Sequence, residues 1–182
     1  MKLLPRLAKK EYSLPFRLLT SILIGGPLFL VLIPLLLIKT MPRLDDWLHL
    51  PSFSFGWVNY LIGGILILIG MVFGLWSIGD QLFIARGTPL PVMATQKLLI
   101  SGPFRYCRNP MTFGTICAYS GVAILVGSLS SLILVWLFGG LLVTYLKRVE
   151  EDELTERFGK DYEAYKAATP FIIPHLRLGR RK

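Results

Sequence analysis

The chain has 182 residues, of which 53% are hydrophobic and 17% charged, and carries a formal net charge of +9. A soluble domain averages roughly 45–50% and about 25%, so the composition predicts a membrane chain with room for one domain over residues 1–182. The basic residues flank apolar runs instead of forming a patch on a polar domain. That excludes nucleic acid as the expected partner and points to anionic membrane lipids.

Apolar runs at about 16–38, 57–78, 112–126 and 132–146 predict an all-α, polytopic helical bundle of four main spans. Lys2, Arg6, Lys9 and Lys10 lead into the first run. That run exceeds twenty residues and no small-residue cleavage pattern follows it, so it is expected to be retained as a span and not removed as a signal peptide. Gly25, Gly26, Pro27 and Pro34 predict kinks or close helix contacts there, and a packed helix. In the second run, Gly63, Gly64, Gly70 and Gly74 allow helix backbones to approach, which ordinary packing in lipid explains. They also permit self-association without requiring it, so the oligomeric state stays open. The third and fourth runs, split by Gly127-Ser128-Leu129-Ser130-Ser131, predict a tight hairpin of short arms that is tilted, extended at its foot or incompletely spanning.

Eighteen of the twenty Lys and Arg residues fall on one side if both termini and the connector over 79–111 lie together. By the positive-inside rule this side is the cytoplasm, most simply that of an inner or plasma membrane. The tail over 147–182 carries a stripe of Leu154, Phe158, Tyr162 and Tyr165, interrupted at Gly159 and ended by Thr169-Pro170 and Pro174. It reads as an amphipathic helix or helix pair on the membrane surface or capping the bundle.

Glu150 and Glu151 stand where the last apolar run ends, on the same side as Arg105 and Arg108 of the connector. On an ideal helix at most one of the two points straight into a cavity while the other caps or pairs nearby, and spacing alone favours a solvated acidic run. In the connector, Asn109-Pro110 reads as N-cap and first helical position. A helix start beside arginines suits an anion: a phosphate, a carboxylate or a lipid headgroup. Cys107 and Cys117 lack a metal or disulfide pattern and read as small apolar residues; His49 and His175 are isolated.

Gly102-Pro103-Phe104-Arg105-Tyr106, Arg108-Asn109-Pro110-Met111 and Gly114, followed by a hairpin and by Glu150-Glu151, Leu154, Phe158-Gly159, Tyr162 and Tyr165, resemble a known pattern. They are similar to the isoprenylcysteine carboxyl methyltransferase and phospholipid methyltransferase superfamily, over Gly87 to about Pro174. The resemblance implies a membrane-embedded methyltransferase using S-adenosylmethionine, with a lipid or lipophilic acceptor entering from the bilayer. It implies catalytic roles for Arg108, Glu150 and Glu151. The cofactor-binding set it implies is Gly102, Pro103, Tyr106, Arg108, Asn109, Pro110, Gly114, Glu150, Tyr162 and Tyr165, with no metal. The chain departs from the pattern at Asn109, where the family has His, and at Thr112, where it has Tyr, although Phe113 offers an aromatic one place along. Asparagine keeps a hydrogen bond but takes up no proton near neutral pH. Carboxyl methylation is the expected activity; an amine or thiol acceptor, or a non-catalytic scaffold binding anionic lipid, are the alternatives. A transporter is disfavoured because no charge except Arg17, at the edge of the first run, falls inside a span.

Overall fold

The computed structural model describes residues 13–87 and 95–175. Lys2, Arg6, Lys9, Lys10, Pro89, Pro91 and the end of the tail lie outside the described residues. Those described are all-helical, with no strands: α1 Leu14–Leu48, α2 Trp57–Phe83, α3 Pro110–Val126, α4 Leu129–Phe158 and α5 Lys160–Ala168. The protein is an integral membrane protein in which α1, α2 and α4 are long and apolar enough to cross a bilayer, whereas α3 is a shorter apolar helix.

The first helix is longer than its apolar run. It continues through Lys39 and Arg43 to Leu48, where His49 adopts φ +56° and ends it. Its prolines do not break it. Pro27 opens a stretch of wide i→i+5 turns that runs to Leu32, with the Ile33 N–H bonded to the Leu28 carbonyl, and Pro34 follows it in a short α-helical stretch, Ile33–Leu35. In the wide register the Phe29 carbonyl would face Pro34, which has no N–H to give. The Tyr119 hydroxyl of α3 donates to Phe29 instead, at 2.8 Å.

The expectation that α1 is closely packed is corrected: only 6% of its most apolar window is buried. Lipid is as apolar as a leucine side chain, so nothing drives this stretch against its neighbours. It is fixed mainly near its two ends. Buried Arg17 donates to the Leu82 carbonyl at 2.6 Å, at the end of α2. At the other end, buried Asp45 accepts from Ser128 Oγ at 2.5 Å and from the Ser130 N–H at 2.9 Å, and Ser131 Oγ donates to the Leu37 carbonyl at 2.8 Å. Asp45→Ala leaves a buried N–H and a hydroxyl without their acceptor. It is expected to cost about 1–3 kcal/mol, read as a lower melting temperature in detergent.

Helices α2 and α3 are bound by glycine. A Cβ on Gly70 would stand 2.5 Å from the Gly114 carbonyl and the Ala118 nitrogen, and one on Gly121 2.6 Å from the Gly63 carbonyl. The antiparallel pair therefore meets backbone to backbone, with Gly63 opposite Gly121 and Gly70 opposite Gly114. The hairpin turn is shorter than its sequence suggests. Gly127, at φ +70°, closes α3, and Ser128 already caps α4 by accepting the Ser131 N–H.

Candidate active site

Three segments converge at one end of the bundle. The first is the connector, which enters α3 through a short turn at Gly102–Arg105. Gly102 sits at φ +57°, and a Cβ there would lie 2.0 Å from Asp80 Oδ2 of α2, so only glycine fits. Pro103 and Phe104 are buried beneath it. Asn109 precedes Pro110, the first residue of α3, but its side chain makes no capping bond.

The second segment is the strand-like stretch after α5, which runs along the connector. The Arg108 N–H donates to the Pro170 carbonyl at 2.9 Å, the Asn109 N–H to Phe171 at 3.1 Å, and the His175 N–H to Tyr106 at 3.0 Å. Asn109 Nδ2 adds a bond to the Phe171 carbonyl at 3.0 Å. The side chain standing where the family pattern has His is therefore engaged as a hydrogen-bond donor, a role that needs no titrating group.

The third segment is the charged end of α4. A wide turn over Leu146–Glu150 resets the phase of this helix just before Glu151. The expectation of a solvated acidic run fails here: the Glu151 side chain is only 5% exposed. Arg108 Nη1 pairs with Glu151 Oε1, and Lys166 Nζ of α5 lies 2.6 Å from Oε2. The Arg108 side chain is 10% exposed, its guanidinium carbon lies 5.3 Å from the Phe171 ring centre, and its Nε has no partner among the described residues. Residue spacing hides this arrangement, because both the wide turn and the fold-back of α5 are needed to create it.

Around these charges the aromatic stripe of the tail turns inward. Tyr162 is 2% exposed and packs beside Tyr165, with ring centres 6.2 Å apart. The Tyr165 hydroxyl donates to the Phe104 carbonyl at 2.6 Å. Burial raises the phenol pKa of both tyrosines, so they remain donors. Burial also pushes the Cys107 thiol up to about 11. At pH 8 only about one Cys107 in a thousand is thiolate. Folded protein should therefore leave Cys107 unlabelled by iodoacetamide at pH 8, with labelling on denaturation, both read by mass spectrometry.

Two hollows flank the Arg108–Glu151 pair. One is an open groove of about 600 Å³ walled by Ile100, Arg105, Lys166, Thr169, Ile173 and His175, among others. The other is a small cavity of about 60 Å³ bordered by Gln81, Leu99, Leu146, Glu150, Glu151 and Tyr162, among others. Among the described residues Arg108 alone borders both. Both glutamates face the small cavity, Glu151 ion-paired and Glu150 half-buried with no ion-pair partner among the described residues.

Of the residues singled out from sequence, Arg108, Asn109, Glu150, Glu151, Tyr162 and Tyr165 thus share this small cavity. Tyr106 stands at the connector's outer edge, hydrogen-bonded by the Arg105 side chain and 6.3 Å from the Trp76 ring. Gly102, Pro103, Pro110 and Gly114 border neither hollow. Their surroundings are structural: Gly114 packs on Gly70 and Gly74, and both prolines are buried. Buried Thr112 borders neither hollow, and Phe113 packs edge-on against Phe73 of α2, 5.1 Å between ring centres. Lys166 and Gln81 were not singled out. Lys166 had only its place eight residues before Pro174 in a charged tail to mark it, and Gln81 no signal at all.

No curated protein and no solved structure matches the chain significantly. The family model described as phospholipid methyltransferase matches residues 58–161, which takes in α2, the connector, α3, α4 and the start of α5. That is more than half of the chain, and the chain belongs to the phospholipid methyltransferase family.

Proposed function

We propose that this membrane methyltransferase uses S-adenosylmethionine and methylates the headgroup amine of a membrane lipid. The observation that carries the reading is the ion-paired partition, Arg108 with Glu151 and Lys166, standing between a roomy basic groove and a small acidic cavity. Transfer between two reactants needs two compartments that meet at one point.

The groove's volume lies within the range of ligand pockets, about 300–1,000 Å³. The donor bears a carboxylate as well as an ammonium and a sulfonium. Its two signs suit a site where Arg105 and Lys166 lie on one side, Glu150 and Glu151 on the other, and Arg108 between them. When bound, S-adenosylmethionine supplies an electrophilic methyl group on a cationic sulfur.

The protein's own share is positioning and proton transfer. Arg108, held between Glu151 and the Phe171 ring, fixes where the two compartments meet. Leu98, Leu99, Leu146 and Leu154 give the small cavity an apolar side. Holding reactants at attack distance supplies on the order of 7–11 kcal/mol. An amine arrives protonated and requires a base. Glu150, which no cation neutralises among the described residues, is placed to accept that proton on its carboxylate oxygen. A carboxylate acceptor in the same cavity would face two glutamates.

A second reading, carboxyl methylation of a prenylated cysteine, draws its support from Arg105, Lys166 and His175 along the groove. The Lys and Arg asymmetry supports placing both compartments on the cytoplasmic face.

The test supplies methyl-labelled S-adenosylmethionine to the purified protein in liposomes. One set carries phosphatidylethanolamine and another a farnesylcysteine acceptor. Label in the amine lipid, lost in Glu150→Gln, is the expected result; label only in farnesylcysteine would transfer the assignment to the second reading.

A further inference from the structure

We infer that Lys166 sets how strongly the site prefers the cationic methyl donor over the demethylated product, by shielding or releasing the charge of Glu151. The inference rests on the donor reading above, in which Lys166 figures only as a cation that pairs with Glu151 and borders the groove.

Both oxygens of the Glu151 carboxylate are occupied, Oε1 by Arg108 and Oε2 by Lys166 at 2.6 Å. The two cations are not held alike. Arg108 is 10% exposed and wedged against Phe171, whereas the Lys166 side chain is 45% exposed at the lip of the groove. A lysine ammonium on a flexible stem is the partner that can leave, while a planar guanidinium locked by packing stays. While Lys166 remains on Oε2, the carboxylate is flanked by two cations and attracts a third cation weakly. Once Lys166 turns into the groove, half of that compensation is gone and Glu151 attracts positive charge.

The donor carries what is needed to draw Lys166 away, a carboxylate, and what gains from its departure, a positive sulfur. Its product keeps the carboxylate but has an uncharged sulfur. Glu151 freed of Lys166 therefore holds the donor better than the product, because only the donor's sulfur is charged. Lys166 is a positioning residue: it acts through Glu151, and while it shields that carboxylate it limits the site's preference for donor over product.

The test is calorimetric titration of the full-length, detergent-purified protein with S-adenosylmethionine and with S-adenosylhomocysteine, for wild type, Lys166→Gln and Lys166→Arg. In Lys166→Gln both ligands should weaken through loss of the carboxylate partner. The product should weaken more, so the ratio of product to donor Kd rises roughly threefold to tenfold; Lys166→Arg should restore the wild-type ratio. Lys166→Met, which keeps the stem, is the second variant if Lys166→Gln melts early. An unchanged ratio in a variant that melts like wild type overturns the role of Lys166 and leaves the donor reading standing. Failure of folded wild type to bind either ligand overturns both.

Discussion

Arg108→Ala should lower methyl transfer by a factor of about 100 to 1,000, the scale of losing one preorganised charged donor from a water-poor site. The change removes the side chain that borders both hollows and strips Glu151 Oε1 of its partner. Breaking a buried ion pair from one side typically costs 3–5 kcal/mol. Here Lys166 still holds Oε2, and its side chain is 45% exposed, so the stability loss should be nearer 2 kcal/mol. Arg108→Lys keeps the charge but not the fork or its packing on Phe171, and should recover only part of the rate. The two effects separate in a double-mutant cycle with Glu151→Gln: melting temperatures report the pair's coupling, and turnover of protein confirmed as folded reports its chemical role.

The largest effect on the fold should come from Gly70→Val. A Cβ at this position would already stand 2.5 Å from the Gly114 carbonyl and the Ala118 nitrogen, and both are backbone atoms that no rotamer change moves aside. Added bulk in a packed interior costs about 1–3 kcal/mol, and this contact belongs at the upper end, which corresponds to roughly 6–12 °C in melting temperature. Gly64→Val is the control, because a Cβ there meets nothing within 4 Å. It should melt within a degree or two of wild type. Since α3 begins at Pro110, directly after the connector, separating α2 from α3 should also weaken donor binding.

Much of this architecture is legible from residue order. The apolar runs locate the helices, Asn109-Pro110 marks the start of α3, and Gly159 at φ +53° divides α4 from α5 where the aromatic stripe is interrupted. What is not legible depends on geometry that an ideal helix lacks. The first helix reaches Leu48 through wide turns over Pro27–Leu32 and Leu36–Thr40 on either side of Pro34, and Tyr119, ninety residues away, donates to the Phe29 carbonyl. The burial of Glu151 follows from another wide turn, over Leu146–Glu150, which a fixed 100° step cannot anticipate.

Asn109 illustrates the same limit at the site. As a residue type it reads as an N-cap, but its amide is used by the Phe171 carbonyl, so the segment after α5 is tied to the connector and the helix start is left uncapped by it. Gly114 belongs to the same motif and serves helix packing against Gly70 and Gly74. A motif thus mixes residues that border a cavity with residues that let the cavity's walls approach, and their roles part only in the folded chain.

The account depends on Arg108 and Glu151 together forming one wall of a donor site. Its most direct test is calorimetric titration of folded, detergent-purified protein with S-adenosylmethionine, repeated on Glu151→Ala. The prediction is saturable binding near one donor per chain, abolished in a Glu151→Ala variant that still melts cooperatively. Binding that survives unchanged in that variant would contradict it.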